Sequence, residues 1–314
     1  MNVGLLQVTG PIYLLIGLGY VAARRGWISS DHGRVLGRFV AQFCVPALVL
    51  RTLSHLTPEQ ILQADFLLPY AFGSLLAMGI VLAVSTLALG RPMSLAAIQS
   101  LGASSSNSVF IGYPVLHQLI GAPAAVALAL VQIVENALMI PLGLTLAESR
   151  SGRSLARATR ATLVSVARNP LIMAVAIGLV LSAGSVQVPA PIDTVLGLMA
   201  AAAPPTALIV IGVSLAGLKL GGMKLDLGLV AGAKLLLHPL CVALMLMLWQ
   251  PSLPAMGVAA LLYAAMPMMS IYPVLGQRHH HESFCAGALL AATVASFVTV
   301  NVLVALAPAF PSMW

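Results

Sequence analysis

The sequence predicts an all-α polytopic membrane protein of ten transmembrane helices. These form two inverted five-helix repeats, with the fourth and the ninth helix broken at bilayer depth. Three observations predict it. The 314 residues are 60% hydrophobic and only 7% charged, with mean hydropathy +1.02, whereas a soluble domain carries about 25% charge. Apolar runs of about 20 residues, enough to cross a bilayer, recur along nearly the whole chain. Several prolines and a glycine of the first five runs recur in the second five at offsets of 159 or 153 residues.

The runs fall at roughly 5–23, 35–53, 66–89, 95–120, 123–147, 170–187, 192–218, 227–249, 255–276 and 283–309. They are continuous rather than alternating, which excludes a β-barrel. The first run lacks a basic n-region and is followed directly by Arg24 and Arg25, so it reads as a span and not as a cleaved signal. Cys44, Cys241 and Cys285 all lie in apolar runs and read as buried thiols.

Positive charge orients the chain. Arg24, Arg25, Arg34, Arg38, Arg91, Arg150, Arg153, Arg157, Arg160, Arg168, Lys219, Lys224 and Arg278 all follow odd-numbered spans. Only Arg51 lies on the opposite side, and Lys234 falls inside the eighth span. Lys and Arg stay cytoplasmic, so the expected location is the cell inner membrane with both termini outside the cytoplasm. The basic character then reflects topology and attraction to anionic lipid of the bilayer, not nucleic acid.

The chain divides into a first five-helix repeat at 1–147, a basic cytoplasmic linker at 148–169 and a second repeat at 170–314. Pro11 and Pro170, Gly19 and Gly178, and Pro46 and Pro205 share one offset of 159 residues, and Pro114 pairs with Pro267 at 153. Five spans per repeat is an odd number, so the halves enter the membrane from opposite sides, an arrangement found in secondary transporters.

The fourth and ninth spans carry helix breakers at bilayer depth. Ser104–Pro114 reads S-S-S-N-S-V-F-I-G-Y-P, and Pro114 should leave a carbonyl near residue 110 without a partner. Gly112 adds backbone freedom there. Ala264–Leu275 reads A-A-M-P-M-M-S-I-Y-P-V-L, with Pro267 and Pro273 bracketing Ser270 and Tyr272. Irregular backbone in a membrane must face protein or a wet cavity. Each break also presents a half-helix N-terminus whose N–H groups favour an anion, although backbone carbonyls at the same breaks could hold a cation.

Asn107–Gly121, N-S-V-F-I-G-Y-P-V-L-H-Q-L-I-G, resembles the fourth-span signature of the auxin efflux carrier family, which includes plant auxin exporters and bacterial carriers of malonate and other small carboxylates. K-L-L-L-H-P at Lys234–Pro239 and A-A-M-P at Ala264–Pro267 are similar to family positions in the eighth and ninth spans. The resemblance implies crossing fourth and ninth helices and an elevator-like motion of the crossing-helix domain against a scaffold. It implies that Asn107 contacts substrate; Ser108, Gly112, Pro114, Pro267, Ser270 and Tyr272, read from the two breaks, are the further substrate-site candidates. It likewise puts Gln132 at a polar position near the site. Two departures stand out: Ser106 occupies a position where the family often has proline, and the plant exporters' long loop and lysine–aspartate support pair have no counterpart.

Glu135 is the deepest ionisable group, roughly 18 Å into its span at 1.5 Å per residue, with Asn136 beside it. A charge at such depth is costly and reads as functional. Lys234 either snorkels to the interface or pairs with Glu135, as acidic and basic groups do around the crossed helices of sodium/proton antiporters. In the second case substrate or a proton would break the pair. His238 shares a helix face with Lys234 and is a relay candidate or a hydrogen-bonded core residue. The run Arg278–Glu282 reads as a solvated loop, and Met266, Met268 and Met269 as packing.

The expected function is secondary transport of a small organic anion, a malonate-like dicarboxylate or a monocarboxylate, with a proton as the coupling partner considered. The alternatives are a passive anion channel and a sodium-coupled symporter. No P-loop, catalytic set or cofactor motif is present, so neither an enzyme nor a cofactor is expected. A homodimer is an expectation by analogy of architecture.

Overall fold

The computed structural model describes residues 5–61, 63–148, 168–217, 224–277 and 279–306. Most of the basic linker, with Arg150, Arg153, Arg157 and Arg160, lies outside the described residues, as do Lys219 and Arg278. The regular structure described is helical, apart from one isolated antiparallel bridge between Ser106 and Met268. In chain order the helices are α1 (Leu5–Arg24), α2 (Ser30–Ser54), α3 (Ala64–Ala83, continued by a π turn at Val84–Ala88), α4 (Met93–Ser104) and α5 (Ser108–Ile120). They continue with α6 (Pro123–Glu148), α7 (Pro170–Ala183), α8 (Ala190–Gly217), α9 (Leu225–Leu248), α10 (Pro254–Ala265), α11 (Tyr272–Gln277) and α12 (Glu282–Leu306).

Among the described residues six helices are long and apolar enough to cross a membrane by length and composition: Ser30–Ser54, Pro58–Ala88, Pro123–Glu148, Ala190–Gly217, Leu225–Leu248 and Glu282–Leu306. Four apolar helices are shorter: Gly10–Arg24, Ser108–Ile120, Pro170–Ala183 and Pro254–Ala265. The chain forms two compact units. The first gathers residues 1–64, 109–132 and 167–218, and the second residues 65–108, 133–166 and 219–314.

The first unit is built on backbone-to-backbone approach. Gly19 of α1 meets α8, where a Cβ would lie 2.2 Å from the Ile209 carbonyl oxygen, and a Cβ on Gly212 would lie 2.0 Å from that of Ile16. Only glycine permits this contact, which is how helices pack closely in lipid. Gly178 of α7 abuts the side chain of Leu53 of α2, whose Cβ would lie 2.8 Å from an added Cβ. Asn169 caps α7, its side chain accepting the Leu171 N–H at 2.9 Å ahead of Pro170 at the first turn. At one end Arg51 binds Asp193 through both carboxylate oxygens at 2.9 and 3.0 Å, with His55 Nε2 3.1 Å from the same carboxylate.

The second unit holds the larger polar interior. Gly73 lets α3 press against Val242 of α9. Buried Asp226 accepts from Arg91 at 3.0 and 2.8 Å and from Gln99 Nε2 at 2.8 Å, joining α9 to α4 and to the chain before it. Around this pair Ile98, Met268, Met269, Tyr272, Cys285 and Ala288 form an apolar core.

Among the described residues five helical segments are π turns: Val40–Cys44, Val84–Ala88, Ser108–Gly112, Glu135–Met139 and Ala233–Leu237. Four of them are followed, two residues on, by a proline: Pro46, Pro114, Pro141 and Pro239. Proline removes a donor and crowds the carbonyl four residues back, and in each case that carbonyl belongs to the π turn. The wider turn relieves the crowding without ending the helix.

The sequence reading of Pro114 as the breaker of the fourth span is therefore corrected. The chain leaves the helix earlier, with Ser105 extended (φ −124°, ψ 139°), and Pro114 sits in the first turn of the helical stretch Tyr113–Ile120. Gly112 has ordinary right-handed helical angles (φ −60°, ψ −53°), so its special freedom is not used. In the ninth span proline does end the helix: α10 stops at Ala265, and Met266, before Pro267, is extended at φ −65°, ψ 152°.

Candidate functional site

Within the second unit, the non-helical stretch after α4 meets the stretch after α10. Ser106 and Met268 form the bridge, the Asn107 N–H donates to the Pro267 carbonyl at 2.7 Å, and Asn107 Nδ2 donates to Ser270 Oγ at 2.8 Å. Serine chemistry prepares the first stretch: Ser104 Oγ bonds back to the Ser100 carbonyl at 2.8 Å, the kind of side-chain bond that competes with the helix ladder. Asn107 is 4% exposed and Ser270 half-buried.

Glu135 reaches this stretch from the π turn of α6 and is buried. Its Oε1 accepts the Ser106 N–H at 2.7 Å and the Tyr70 hydroxyl at 3.3 Å, and its Oε2 accepts the Ser108 hydroxyl at 3.0 Å. The carboxylate thus sits at the N-terminal end of α5, where a negative charge is favoured.

Lys234 comes from the π turn of α9 and is fully buried. Its Nζ donates to Ser106 Oγ at 3.0 Å and to the Ala264 carbonyl, one residue before the end of α10, where a cation is favoured. It also lies 2.8 Å from His238 Nδ1. An ammonium only donates, so Nδ1 is the acceptor there, and Nε2 carries the hydrogen toward Ser74 Oγ at 2.8 Å.

The direct Glu135–Lys234 pair considered from the sequence is not among the ion pairs of the described residues. Ser106 stands between the two charges, binding Glu135 with its N–H and Lys234 with its hydroxyl. Lys234 does not snorkel. The free amides expected at this break are also partly used, since the Ser106 N–H serves Glu135 and the Asn107 N–H serves Pro267.

The remaining sequence candidates separate. Tyr272 is buried, donates its hydroxyl to the Ile98 carbonyl at 2.9 Å and fills the space beside Gly102, where a Cβ would lie 2.5 Å from that oxygen. Both contacts are with α4. Asn136 is half-buried, and Gln132 is buried three residues before Glu135 on the same helix. Pro114 and Gly112 are buried in the first unit. Met266, Met268 and Met269 are buried, and no group of three metal-ligating side chains comes together among the described residues. In the connection before α12, burial and then the neighbouring His279 and His280 hold His281 below its ordinary value.

Tyr70, Ser74 and Ser106 are network members that the sequence reading did not single out. Tyr70 and Ser74 are one helical turn apart on α3, a spacing that could have marked a polar face. For Ser106 the signal was its place beside Asn107.

The chain can be set beside known proteins on these terms. It is 27% identical over 305 residues to a Rhizobium meliloti (strain 1021) protein named "Putative malonate transporter", covering 94% of each chain. It is 27% identical over 246 residues to the uncharacterized transporter YfdV of Escherichia coli (strain K12), covering 74% of this chain and 76% of that one. A mouse relative, the lysosomal cholesterol signaling protein, is 27% identical over 240 residues, which cover 71% of this chain and 27% of that one. The family profile described as "Membrane transport protein" matches residues 7–304. A match over nearly the entire chain, on a helical frame rich in membrane-length segments, makes this protein a member of that membrane transporter family, the auxin efflux carriers.

Proposed function

We propose that the protein is a secondary carrier of a small organic anion, a malonate-like dicarboxylate or a monocarboxylate, working by an elevator-type motion and coupled to protons. The observation that carries this reading is the buried Glu135–Ser106–Lys234 network beside Asn107, where two interrupted helical paths touch. Two opposite charges so deep in an apolar chain are costly unless function retains them. The name of the Rhizobium relative supports malonate as the first substrate to try.

The ten-span inverted repeat belongs to the same reading. Adding the 159-residue offset to Gly19 gives Gly178, and subtracting it from Gly212 gives Leu53. The close contact of Gly19 with Gly212 is therefore matched by that of Gly178 with Leu53. The division into a unit holding α1, α2, α7 and α8 and a unit holding the charge network suits a scaffold and a moving domain. In this reading Asn107 and Ser270 contact substrate, with Ser108 and Pro267 shaping the site. Glu135, Asn136, Lys234 and His238 serve coupling.

Uptake of labelled malonate into proteoliposomes tests it. Saturable uptake with trans-stimulation, raised by an inward proton gradient and cut at least about tenfold by Asn107→Ala, is the expected result; loss of one charged-group hydrogen bond is worth that much. Non-saturating flux would mark a channel, and dependence on sodium rather than pH a sodium symporter. Either would overturn the proposal.

A further inference from the structure

Ser106 touches both buried charges, and it does so with different atoms. Its backbone N–H holds Glu135, its hydroxyl receives Lys234, and Tyr70 lies 3.4 Å from the same hydroxyl. Ser105 is extended and Ser106 pairs with Met268 in an isolated bridge, a strand-like path on which successive side chains alternate. Ser106 faces the charges, which puts Ser105 and Asn107 on the other side. Ser105 Oγ is buried there with no hydrogen-bond partner, a polar atom left for a ligand to satisfy.

We infer that Ser106 is the joint through which the charge state of Glu135 and Lys234 is passed to Asn107, a positioning residue that this carrier reading requires but that does not itself contact substrate. Ser106 and Asn107 share a peptide plane. A change in the backbone angles of Ser106 rotates the N–H that Asn107 gives to Pro267, and with it the side chain held by Ser270. The groups that face the two charges are Tyr70 from α3, Ser108 from α5, and His238, backed by Ser74, from α9 and α3. Tyr263 of α10 lies within electrostatic reach of Tyr70.

Hydrogen exchange of the purified full chain, followed between about pH 5 and 8 in peptides covering Ser105–Ser108, tests the joint without any substrate. After correction for intrinsic exchange, wild-type protection should change about tenfold across this range, the scale of one charge-assisted hydrogen bond. Glu135→Gln should flatten the profile. Ser106→Ala should flatten it as well, while Ser106→Thr, which keeps both the N–H and a hydroxyl, should restore it. A wild-type profile in Ser106→Ala, a flat one in Ser106→Thr, or a flat one in the wild type overturns the inference. If Ser106→Ala loses protection in all its helices, the wild-type, Glu135→Gln and Ser106→Thr profiles still decide. Repeating the series with malonate separates the two claims: malonate that protects no variant counts against the carrier reading alone, and the ligand-free profiles stand.

Discussion

Tyr272 and Ser106 occupy roles that their residue types do not advertise. A tyrosine bracketed by two prolines in a broken span looks like a substrate contact, yet its hydroxyl is committed to the Ile98 carbonyl and its ring to the face of Gly102. Tyr272→Phe removes one buried hydrogen bond and leaves a carbonyl acceptor, a loss of about 1 kcal/mol. The expected outcome is a small drop in melting temperature with malonate uptake unchanged; a large loss of uptake in stable protein would return Tyr272 to the site. Glu135 and Lys234 were legible in the sequence because a charge inside an apolar run is rare and costly. Ser106, Tyr70 and Ser74 were not, because hydroxyls are tolerated almost anywhere in a membrane helix. Their partners, such as Glu135 for Tyr70 and His238 for Ser74, are far away in sequence.

Individual helices show why the prolines misled. Pro114 reads as a break, and it instead comes after a π turn that absorbs the missing donor, as Pro46, Pro141 and Pro239 also do. The sequence marks where a proline is but not whether the helix will widen or stop, since both satisfy the same steric demand. Two of these turns supply the charges, Glu135 as the first residue of one and Lys234 as the second of another. The extra residue in a π turn rotates the helix on its N-terminal side by about 100° relative to the helix on its C-terminal side, at 3.6 residues per turn. Pro141→Ala gives back an N–H and relieves the carbonyl of Ala137, so the turn can tighten to an α-helix. Glu135 would then swing off Ser106. Uptake should fall at least about tenfold while melting temperature holds or rises, because a helix interior favours alanine over proline. Unchanged uptake would show that the widened turn has no part in aiming Glu135.

Across the whole chain the charge distribution joins the buried network to the topology. In the proposed ten-span reading thirteen of the fifteen Lys and Arg come after odd-numbered spans, and the other two have internal partners. Arg51 is held by both oxygens of Asp193, and Lys234 is enclosed by Ser106, Ala264 and His238. A cation with its own internal partner does not have to be retained in the cytoplasm by its hydration, so neither weakens the orientation that the remaining thirteen imply. This orientation is open to a direct measurement. An alkaline phosphatase, active only outside the cytoplasm, inserted between α7 and α8 at residues 184–189 or between α9 and α10 at 249–253 should be active. The same insertion at Gly90, between α3 and α4, should be silent, and a fluorescent protein that matures only in the cytoplasm should show the opposite pattern. Arg51→Ala should leave both patterns as they are, because its charge is already neutralised by Asp193. Phosphatase activity at Gly90 would reverse the topology and place the Arg91–Asp226 pair, with the α4 entrance to the Glu135–Ser106–Lys234 network, on the outer side.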